Sequence, residues 1–198
     1  MSNHNEGKSC RKIRKRSDAS DRIYTPKKLA IDMINMCDIK PTDNVLDPSL
    51  GDGIFYNNFP KCNKDWCEID KGRNFFEYTK GKKYDWVIGN PPYSIWTKWI
   101  KHTAQITNKV CYIFGLYNLT PPRVDEMKQM GFGITSMMIC KVDWWFSPSW
   151  VVIFEKNKPS VVNVIRDRYK CDICGKRCKR GQTYKGKKYG MNQCSNVK

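Results

Sequence analysis

Short apolar runs alternate along the middle of the chain with segments in which apolar residues recur at helical spacing. One such segment predicts a helix over 26–37, because five of its apolar residues fall on one face. They are Leu29, Ala30, Met33, Ile34 and Cys37. Thr25 is the predicted N-cap of this helix, and Pro26 lies in its first turn. Further helices are predicted to run up to Phe59 and over 95–106 and 121–130.

Six apolar runs predict strands. They span 45–47, 66–69, 84–88, 110–114, 134–142 and 150–154. The run 110–114 is apolar throughout, as expected of a strand buried on both faces. Strands alternate with helices until the last two, which follow each other directly across Ser147-Pro148-Ser149. The pattern therefore predicts an α/β protein with a mostly parallel sheet and an antiparallel hairpin at its edge.

Basic residues are concentrated at the two ends of the chain. Of the formal net charge of +17, residues 1–28 carry +6, residues 29–154 carry +1 and residues 155–198 carry +10. We therefore divide the chain into a basic arm (1–22), an α/β domain (23–158) and a basic, cysteine-rich tail (159–198). Such ends suit a polyanion, and nucleic acid is favoured over an anionic membrane surface because neither end is amphipathic. Solubility alone is the simpler explanation.

The apolar content also limits where the protein can reside. No apolar run approaches the roughly 18 residues of a membrane span, and the polar N-terminus is unlike a secretory signal. We expect a soluble intracellular protein that has no membrane partner and lies in a reducing compartment, the cytoplasm or nucleus. There the six cysteines outside the tail would be small buried hydrophobic residues.

A glycine-bearing turn joins the first predicted strand to the next helix and reads Asp47-Pro48-Ser49-Leu50-Gly51-Asp52-Gly53. Ligands of open α/β sheets bind beyond the carboxyl ends of the strands, and glycines let the backbone approach them closely. The turn lacks the third glycine of the dinucleotide fingerprint and the Lys-Ser/Thr of a phosphate loop. Glu68 follows about 20 residues later, where an acid can accept hydrogen bonds from ribose hydroxyls. A capping role is the alternative for Glu68.

A second turn, Asn90-Pro91-Pro92-Tyr93, follows the strand predicted at 84–88. Two consecutive prolines restrict the backbone, so Asn90 and Tyr93 are held rigidly at the end of the strand. The side-chain oxygen of Asn90 and a proline carbonyl form a pair of acceptors for the two hydrogens of an exocyclic amine. Tyr93 offers a flat face on which a base can stack.

These motifs, in this order, resemble those of S-adenosylmethionine-dependent amino-methyltransferases of the N6-adenine type over residues 24–154. Tyr24-Thr25-Pro26 is similar to the N-terminal cofactor motif of that family, the glycine turn to its cofactor loop, and Asn90-Pro91-Pro92-Tyr93 to its catalytic motif. The resemblance implies a class I Rossmann-like fold with a seven-stranded sheet whose last strand is antiparallel. It further implies an S-adenosylmethionine site that includes Tyr24, Thr25, Pro26, Asp47, Pro48, Gly51, Gly53, Glu68 and Asn90.

The chain departs from the family pattern at two places. Asn74 and Phe75 stand where the family has an acid that contacts the cofactor adenine, so Asn74 would hydrogen-bond that base and Phe75 would pack on it. The aromatic residue opposite the target base is expected at Phe146, for which packing at the sheet edge is the alternative. The short stretch between the catalytic motif and the hairpin leaves no room for an inserted recognition domain. The basic tail, a partner subunit or a homodimer could supply recognition instead.

Four cysteines of the tail, Cys171, Cys174, Cys178 and Cys194, lie in a segment rich in lysine and arginine. So polar a segment buries too little surface to fold alone, and a structural zinc ion held by four thiolates would stabilise it. Unliganded or redox-active cysteines are the alternative. A catalytic zinc is not indicated, since the spacing suggests no histidine ligand and no open coordination position.

Together these features predict transfer of a methyl group from S-adenosylmethionine to N6 of a flipped adenine, with DNA preferred as the substrate. Adenine or guanine amino groups of RNA remain open, whereas the basic ends disfavour a protein glutamine. A catalytically silent nucleic-acid-binding subunit is the alternative from another class, against which the complete cofactor and catalytic motifs argue.

Overall fold

A computed structural model describes residues 24–143, 145 and 147–162, together with the backbone of 183–184 and 187–188. The chain divides into two compact units, residues 1–164 and 165–198. Within the second unit, the described backbone forms an antiparallel pair of two-residue strands, Thr183–Tyr184 and Lys187–Lys188. The predicted basic arm lies outside the described residues.

Helices and strands alternate through the first unit until its last two strands. In chain order the elements are α1 (Lys27–Asn35), β1 (Asn44–Asp47), α2 (Ile54–Asn58), β2 (Asn63–Trp66), α3 (Phe75–Tyr78), β3 (Trp86–Gly89), α4 (Trp96–Ile106), β4 (Lys109–Gly115), α5 (Pro121–Gln129), β5 (Phe132–Cys140) and β6 (Ser149–Lys156). Two 3₁₀ turns, Ile69–Lys71 and Tyr93–Ile95, follow β2 and β3. Among the described residues, each helix is too short to cross a bilayer.

The six strands described in this unit, between residues 24 and 162, form one sheet in the order β2-β1-β3-β4-β6-β5. The first four are parallel, with Leu46 opposite Val87 and Val87 opposite Val110. Strand β6 runs antiparallel to both β4 and β5. The predicted α/β sheet with an antiparallel hairpin at its edge is confirmed. Because β1, β3 and β4 are parallel, their carboxyl ends share one edge, where the loops after Asp47, Gly89 and Gly115 meet.

The expectation of a seventh strand is wrong for the part of the chain that the structure describes. Between β2 and β3, residues 67–85 form only a 3₁₀ turn, the single-turn helix α3 and connecting turns. So short a connection cannot hold a further strand together with the helix that a parallel crossover requires. Strand β2 is therefore the edge strand on this side of the sheet.

Two predicted boundaries are also corrected. The second strand is Asn63–Trp66 and not 66–69, because an edge strand can be polar, and its only apolar residue is Trp66. Beyond it, Cys67 donates its N–H to the carbonyl of Asp47 at 2.9 Å, and its own carbonyl accepts the N–H of Leu50 at 2.8 Å. The main chain of Cys67 therefore pairs with the glycine turn. At the start of α1 the N-cap residue is Pro26, not Thr25, which is buried.

Alternating side chains of the strands pack against helices on both faces of the sheet. On one face, Leu46, Val87 and Tyr112 belong to a core with the apolar sides of α4 and α5. On the other face, Val45, Ile88 and Ile113 pack with α1 and α2. This alternation places neighbouring strand residues in different cores, as the period of two requires. The sheet is consequently rigid, and the loops at its carboxyl edge are carried on a fixed frame.

Candidate active site

The glycine turn leaves β1 at Asp47 and enters α2 after Gly53. Gly51 and Gly53 have φ angles of +52° and +83°, a region that L-residues with a Cβ rarely adopt. A Cβ at Gly53 would also lie 2.9 Å from Nδ2 of Asn57. Gly53 donates its N–H to the carbonyl of Leu50 at 2.7 Å. The two glycines therefore let the backbone reverse tightly beside the edge of the sheet.

The carboxylate of Glu68 ties this turn to the segment that follows β2. Its Oε2 accepts the N–H of Gly51 at 2.8 Å, and its Oε1 accepts the N–H of Asp70 at 3.4 Å. Lys71 reaches back from the 3₁₀ turn to the carbonyl of Gly51 at 3.5 Å. Each carboxylate oxygen has more than one acceptor direction, so Glu68 can hold the turn and still accept a ligand hydroxyl. Both roles considered for Glu68, capping and ligand binding, are therefore compatible.

Asp47 is fully buried at the start of the turn. Its Oδ1 accepts the N–H of Ser49 at 3.3 Å, whereas its Oδ2 has no hydrogen-bond partner among the described residues. Burial raises the pKa of Asp47 from 3.8 to about 7, against the opposing effect of the Ser49 N–H. A Cβ on Gly89 of the neighbouring strand would lie 3.1 Å from Cδ of Pro48 and 3.5 Å from Oδ1 of Asp47. Strands β1 and β3 therefore pack closely around the carboxylate of Asp47.

The second turn begins directly after β3 and is fixed from two sides. Ser49 of the glycine turn donates its hydroxyl to the main-chain oxygen of Asn90 at 3.0 Å. The hydroxyl of Tyr93 donates to Oδ1 of Asn90 at 2.9 Å and also contacts the main-chain oxygen of Ile113 in β4. The carboxamide of Asn90 is therefore oriented by a tyrosine that is itself held by the next strand.

Arg123 of α5 joins the second turn to the loop after β4. Its Nη2 donates to the main-chain oxygen of Tyr93 at 3.1 Å, and its Nη1 donates to the main-chain oxygen of Asn118 at 2.9 Å. Its guanidinium also lies 5.4 Å from the ring centroid of Trp96. No sequence motif indicated Arg123, because its partners at Tyr93 and Trp96 are brought to it by the fold.

The two turns border a single cavity of about 450 Å³. The residues predicted from the sequence that line it are Tyr24, Thr25, Pro48, Gly51, Glu68, Asn74, Phe75, Asn90 and Pro92. The predicted residues Pro26, Asp47, Gly53, Pro91 and Tyr93 do not line it. Most of the lining that the resemblance implied is thus gathered at one place, from four separate parts of the chain.

Aromatic side chains form one wall of the cavity. Phe75 stacks on Trp99 of α4 with ring centroids 4.2 Å apart, and Phe76 meets Trp99 edge-on at 5.8 Å. Asn74 caps α3 by accepting the N–H of Phe76 at 3.0 Å through Oδ1. Sequence reasoning did not assign Phe76 and Trp99 to the site. Trp99 lies on the apolar side of its helix, a pattern that indicates core packing as readily as a binding wall.

The remaining predicted site residues cannot be placed. Phe146 and the four tail cysteines lie outside the described residues, so their predicted roles stay predictions. Among the residues that are described, no group of three or more histidine, cysteine, aspartate or glutamate side chains could hold a metal ion.

Comparison with known proteins identifies the fold. No family model matches the chain, and no curated protein matches its sequence. A methyltransferase from Pyrococcus furiosus superposes with a TM-score of 0.52 at 16% identity, over 75% of this chain and 94% of that one. The precorrin-6y C5,15-methyltransferase of Geobacter metallireducens GS-15 gives 0.51 at 10% identity, over 71% and 94%.

A third solved structure is the M protein of the type I restriction enzyme EcoKI. It gives a TM-score of 0.52 at 10% identity, over 71% of this chain and 45% of that one. At such identities the likeness concerns the fold alone. Over the residues that the structure describes, the first unit therefore has the Rossmann-like α/β fold of methyltransferases, with six strands.

Proposed function

We propose that the protein is an S-adenosylmethionine-dependent methyltransferase that modifies N6 of adenine in DNA. The observation that carries this proposal is the direct link between the two turns, in which Ser49 of the glycine turn hydrogen-bonds the main chain of Asn90. The link sets a loop of the cofactor-binding kind beside a turn that can accept an amino group. Both border one cavity at the carboxyl edge of a methyltransferase-like sheet.

The cavity fits the proposed cofactor in chemistry and size. Its volume of about 450 Å³ lies within the range of small-molecule sites. The half-buried carboxylate of Glu68 would accept the ribose hydroxyls, and the wall of Phe75, Phe76 and Trp99 would take the adenine ring. The glycine turn would hold the methionine part close to its backbone. When bound, the cofactor would supply an electrophilic methyl group on a sulfonium.

The residues of the second turn would position the target nitrogen. Oδ1 of Asn90 and the carbonyl of Pro91 would accept the two N6 hydrogens, which aims the nitrogen lone pair at the methyl carbon. Tyr93 would provide the stacking plane through its ring while its hydroxyl holds the Asn90 carboxamide. The adenine must leave its stack to reach this turn, which takes a few kcal/mol in a duplex and less in a single strand.

The preference for nucleic acid rests on charge. The basic ends, with net charges of +6 over residues 1–28 and +10 over residues 155–198, suit a polyanionic substrate. Between the second turn and the hairpin the chain has only α4, β4 and α5 as regular elements. We therefore propose that target recognition comes from the tail, with structural zinc at its four cysteines, or from a partner subunit or a second copy.

Transfer of a tritiated methyl group onto separate DNA, RNA and protein pools tests the reaction. We expect label in DNA, released as N6-methyl-2′-deoxyadenosine on digestion. Label in RNA or protein instead would overturn the assignment of the substrate. No label in any pool, together with no binding of S-adenosylmethionine by calorimetry, would favour the silent subunit.

The variant Asn90→Ala tests the assigned residue. We expect loss of transfer of about 10²-fold or more, because the nitrogen is no longer positioned, with cofactor affinity unchanged. Asn108→Ala is the matched control, since Asn108 is exposed immediately before β4, at the opposite edge of the sheet. Full activity of the Asn90 variant would remove this residue from the mechanism.

A further inference from the structure

Between the two basic ends, positive charge is concentrated beside the open edge of the sheet. Residues 61–83 carry a net charge of +3, whereas the rest of 29–154 carries −2. This segment contains β2, whose outer side pairs with no other strand among the described residues. It also contains α3 and the turns around it. The uneven distribution makes this edge a candidate surface for an anionic partner.

The cations at this edge lie on aromatic rings. Lys64 lies 4.7 Å from the ring centroid of Tyr56, and the guanidinium of Arg73 lies 4.0 Å from that of Trp66. Lys82 lies 3.4 Å from the ring centroid of Tyr78. We call Lys64, Lys71, Arg73 and Lys82, with these rings, the β2-edge patch. Cation–π contacts are worth about 0.5–1 kcal/mol at exposed sites and favour these positions of the flexible side chains.

Asp65 organises the patch while its own charge is largely satisfied. Its Oδ2 accepts the hydroxyl of Tyr84 at 2.8 Å, and its Oδ1 accepts the hydroxyl of Tyr78 at 3.0 Å and Nη1 of Arg73 at 3.3 Å. Burial would raise the pKa of Asp65, but these hydroxyl hydrogen bonds and Lys82 hold it below its ordinary value. Lys82 also pairs with Oδ2 of Asp65 at 3.5 Å, so the acid is an internal hub that binds two of the four cations of the patch. Lys64 and Lys71 donate to the main-chain oxygens of Tyr56 and Gly51.

The patch encloses a concavity and continues into the candidate active site. Lys64, Lys82 and Lys83 line an open concavity of about 510 Å³ around Asp65. Lys71 and Arg73 also line the 450 Å³ cavity. A chain of phosphates that follows the patch would therefore arrive at the mouth of the proposed cofactor and substrate site.

We propose that the β2-edge patch binds the sugar-phosphate backbone of the nucleic-acid substrate. The inference rests on the proposed function, because it assumes that the substrate is nucleic acid. A positively charged groove that follows the backbone is a usual means of holding a single strand without reading its sequence. The surface would add a second electrostatic contact to that of the basic ends and place the strand beside the second turn.

Binding of a fluorescein-labelled single-stranded DNA oligonucleotide to the full chain, followed by anisotropy without cofactor, tests this surface. The informative variant is Lys64→Gln with Lys82→Gln, which leaves the residues lining the 450 Å³ cavity unchanged. Each phosphate contact on a single strand contributes about 0.7 to the slope of log K against log salt. We therefore expect the slope to fall by about 1.4, and Lys64→Arg with Lys82→Arg to restore it.

The matched control replaces Lys101 and Lys128 by glutamine, two exposed lysines of α4 and α5 that lie outside the β2-edge patch and outside the basic ends. The net charge changes equally, but the slope should stay within error of the wild type. An equal fall in both double variants would mean that only total charge matters, and would overturn the proposal. An unchanged slope in the Lys64 and Lys82 variant would also overturn it, leaving these lysines as protection of an open strand edge.

The result of this binding experiment can be distinguished from the result of the methyl-transfer experiment that tests the proposed function. Binding is measured without cofactor, so the patch can fail while methyl transfer to DNA still occurs. Conversely, the salt slope can change as expected in a protein that transfers no methyl group. Thermal unfolding of each variant confirms that the fold is retained.

Discussion

The buried acid at the end of β1 makes the stability of the protein depend on pH. Asp47 has no exposed surface, its Oδ2 lacks a partner among the described residues, and burial raises its pKa from 3.8 to about 7. The folded state therefore holds this proton more tightly than the unfolded chain. The free energy of unfolding from this group is greatest below about pH 4, falls as the pH rises to about 7 and is then constant.

The size of the effect follows from the two pKa values. At about 1.36 kcal/mol for each pH unit, the difference between 3.8 and about 7 corresponds to roughly 4 kcal/mol. This is a large part of the stability of a typical domain. The variant Asp47→Asn cannot titrate, so its stability lacks this dependence. Any loss of stability caused by the amide group is the same at every pH, so it cancels when the free energies of unfolding at two pH values are compared.

Chemical unfolding of wild type and Asp47→Asn at several pH values between about 4 and 8 measures the effect. We expect the variant to gain about 4 kcal/mol relative to the wild type between the two ends of this range. Asp38→Asn is the control, because the hydrogen bond from Lys40 lowers the pKa of exposed Asp38. For that variant the stability difference should stay nearly constant over this range, because a carboxyl whose pKa is lowered from 3.8 loses its contribution only below about pH 4. A stability difference at Asp47 that is flat across the range would refute the argument.

Two further predictions concern the glycine turn and the tail. Gly53→Ala should lower the free energy of unfolding by about 1–2 kcal/mol, because alanine is strained at a φ of +83°, and it should also displace Asn57. The control is Gly72→Ala, where φ is +75° but no atom lies within 4 Å of the added Cβ, so this variant measures the backbone strain alone. Equal losses of unfolding free energy in the two variants would mean that Asn57 moves aside without cost. Elemental analysis of the purified full chain should find one zinc ion per chain, lost when Cys171 and Cys174 are replaced by serine. Absence of zinc from protein purified without chelator would contradict the predicted metal site.

Local features of the sequence predicted local features of the structure. The apolar runs predicted a mostly parallel sheet with an antiparallel hairpin, which is confirmed. Two turns with unusual backbone requirements, one with Gly51 and Gly53 and one with Pro91 and Pro92, lie after β1 and β3 as expected. The second strand was predicted at the wrong position because it is a polar edge strand. None of its residues is fully buried, so its sequence shows no alternation of apolar and polar residues.

The contacts that make a site from these turns depend on the fold. Glu68 bonds to Gly51 across 17 positions, Ser49 to Asn90 across 41, and Arg123 to Tyr93 across 30. The sequence by itself determined which turns form, because glycine and proline act on their own backbone. Only the tertiary structure decided which side chains orient Asn90, that Trp99 forms a cavity wall and that Asp47 is buried. These outcomes depend on the parallel register of β1, β3 and β4, which brings the ends of distant segments to one edge.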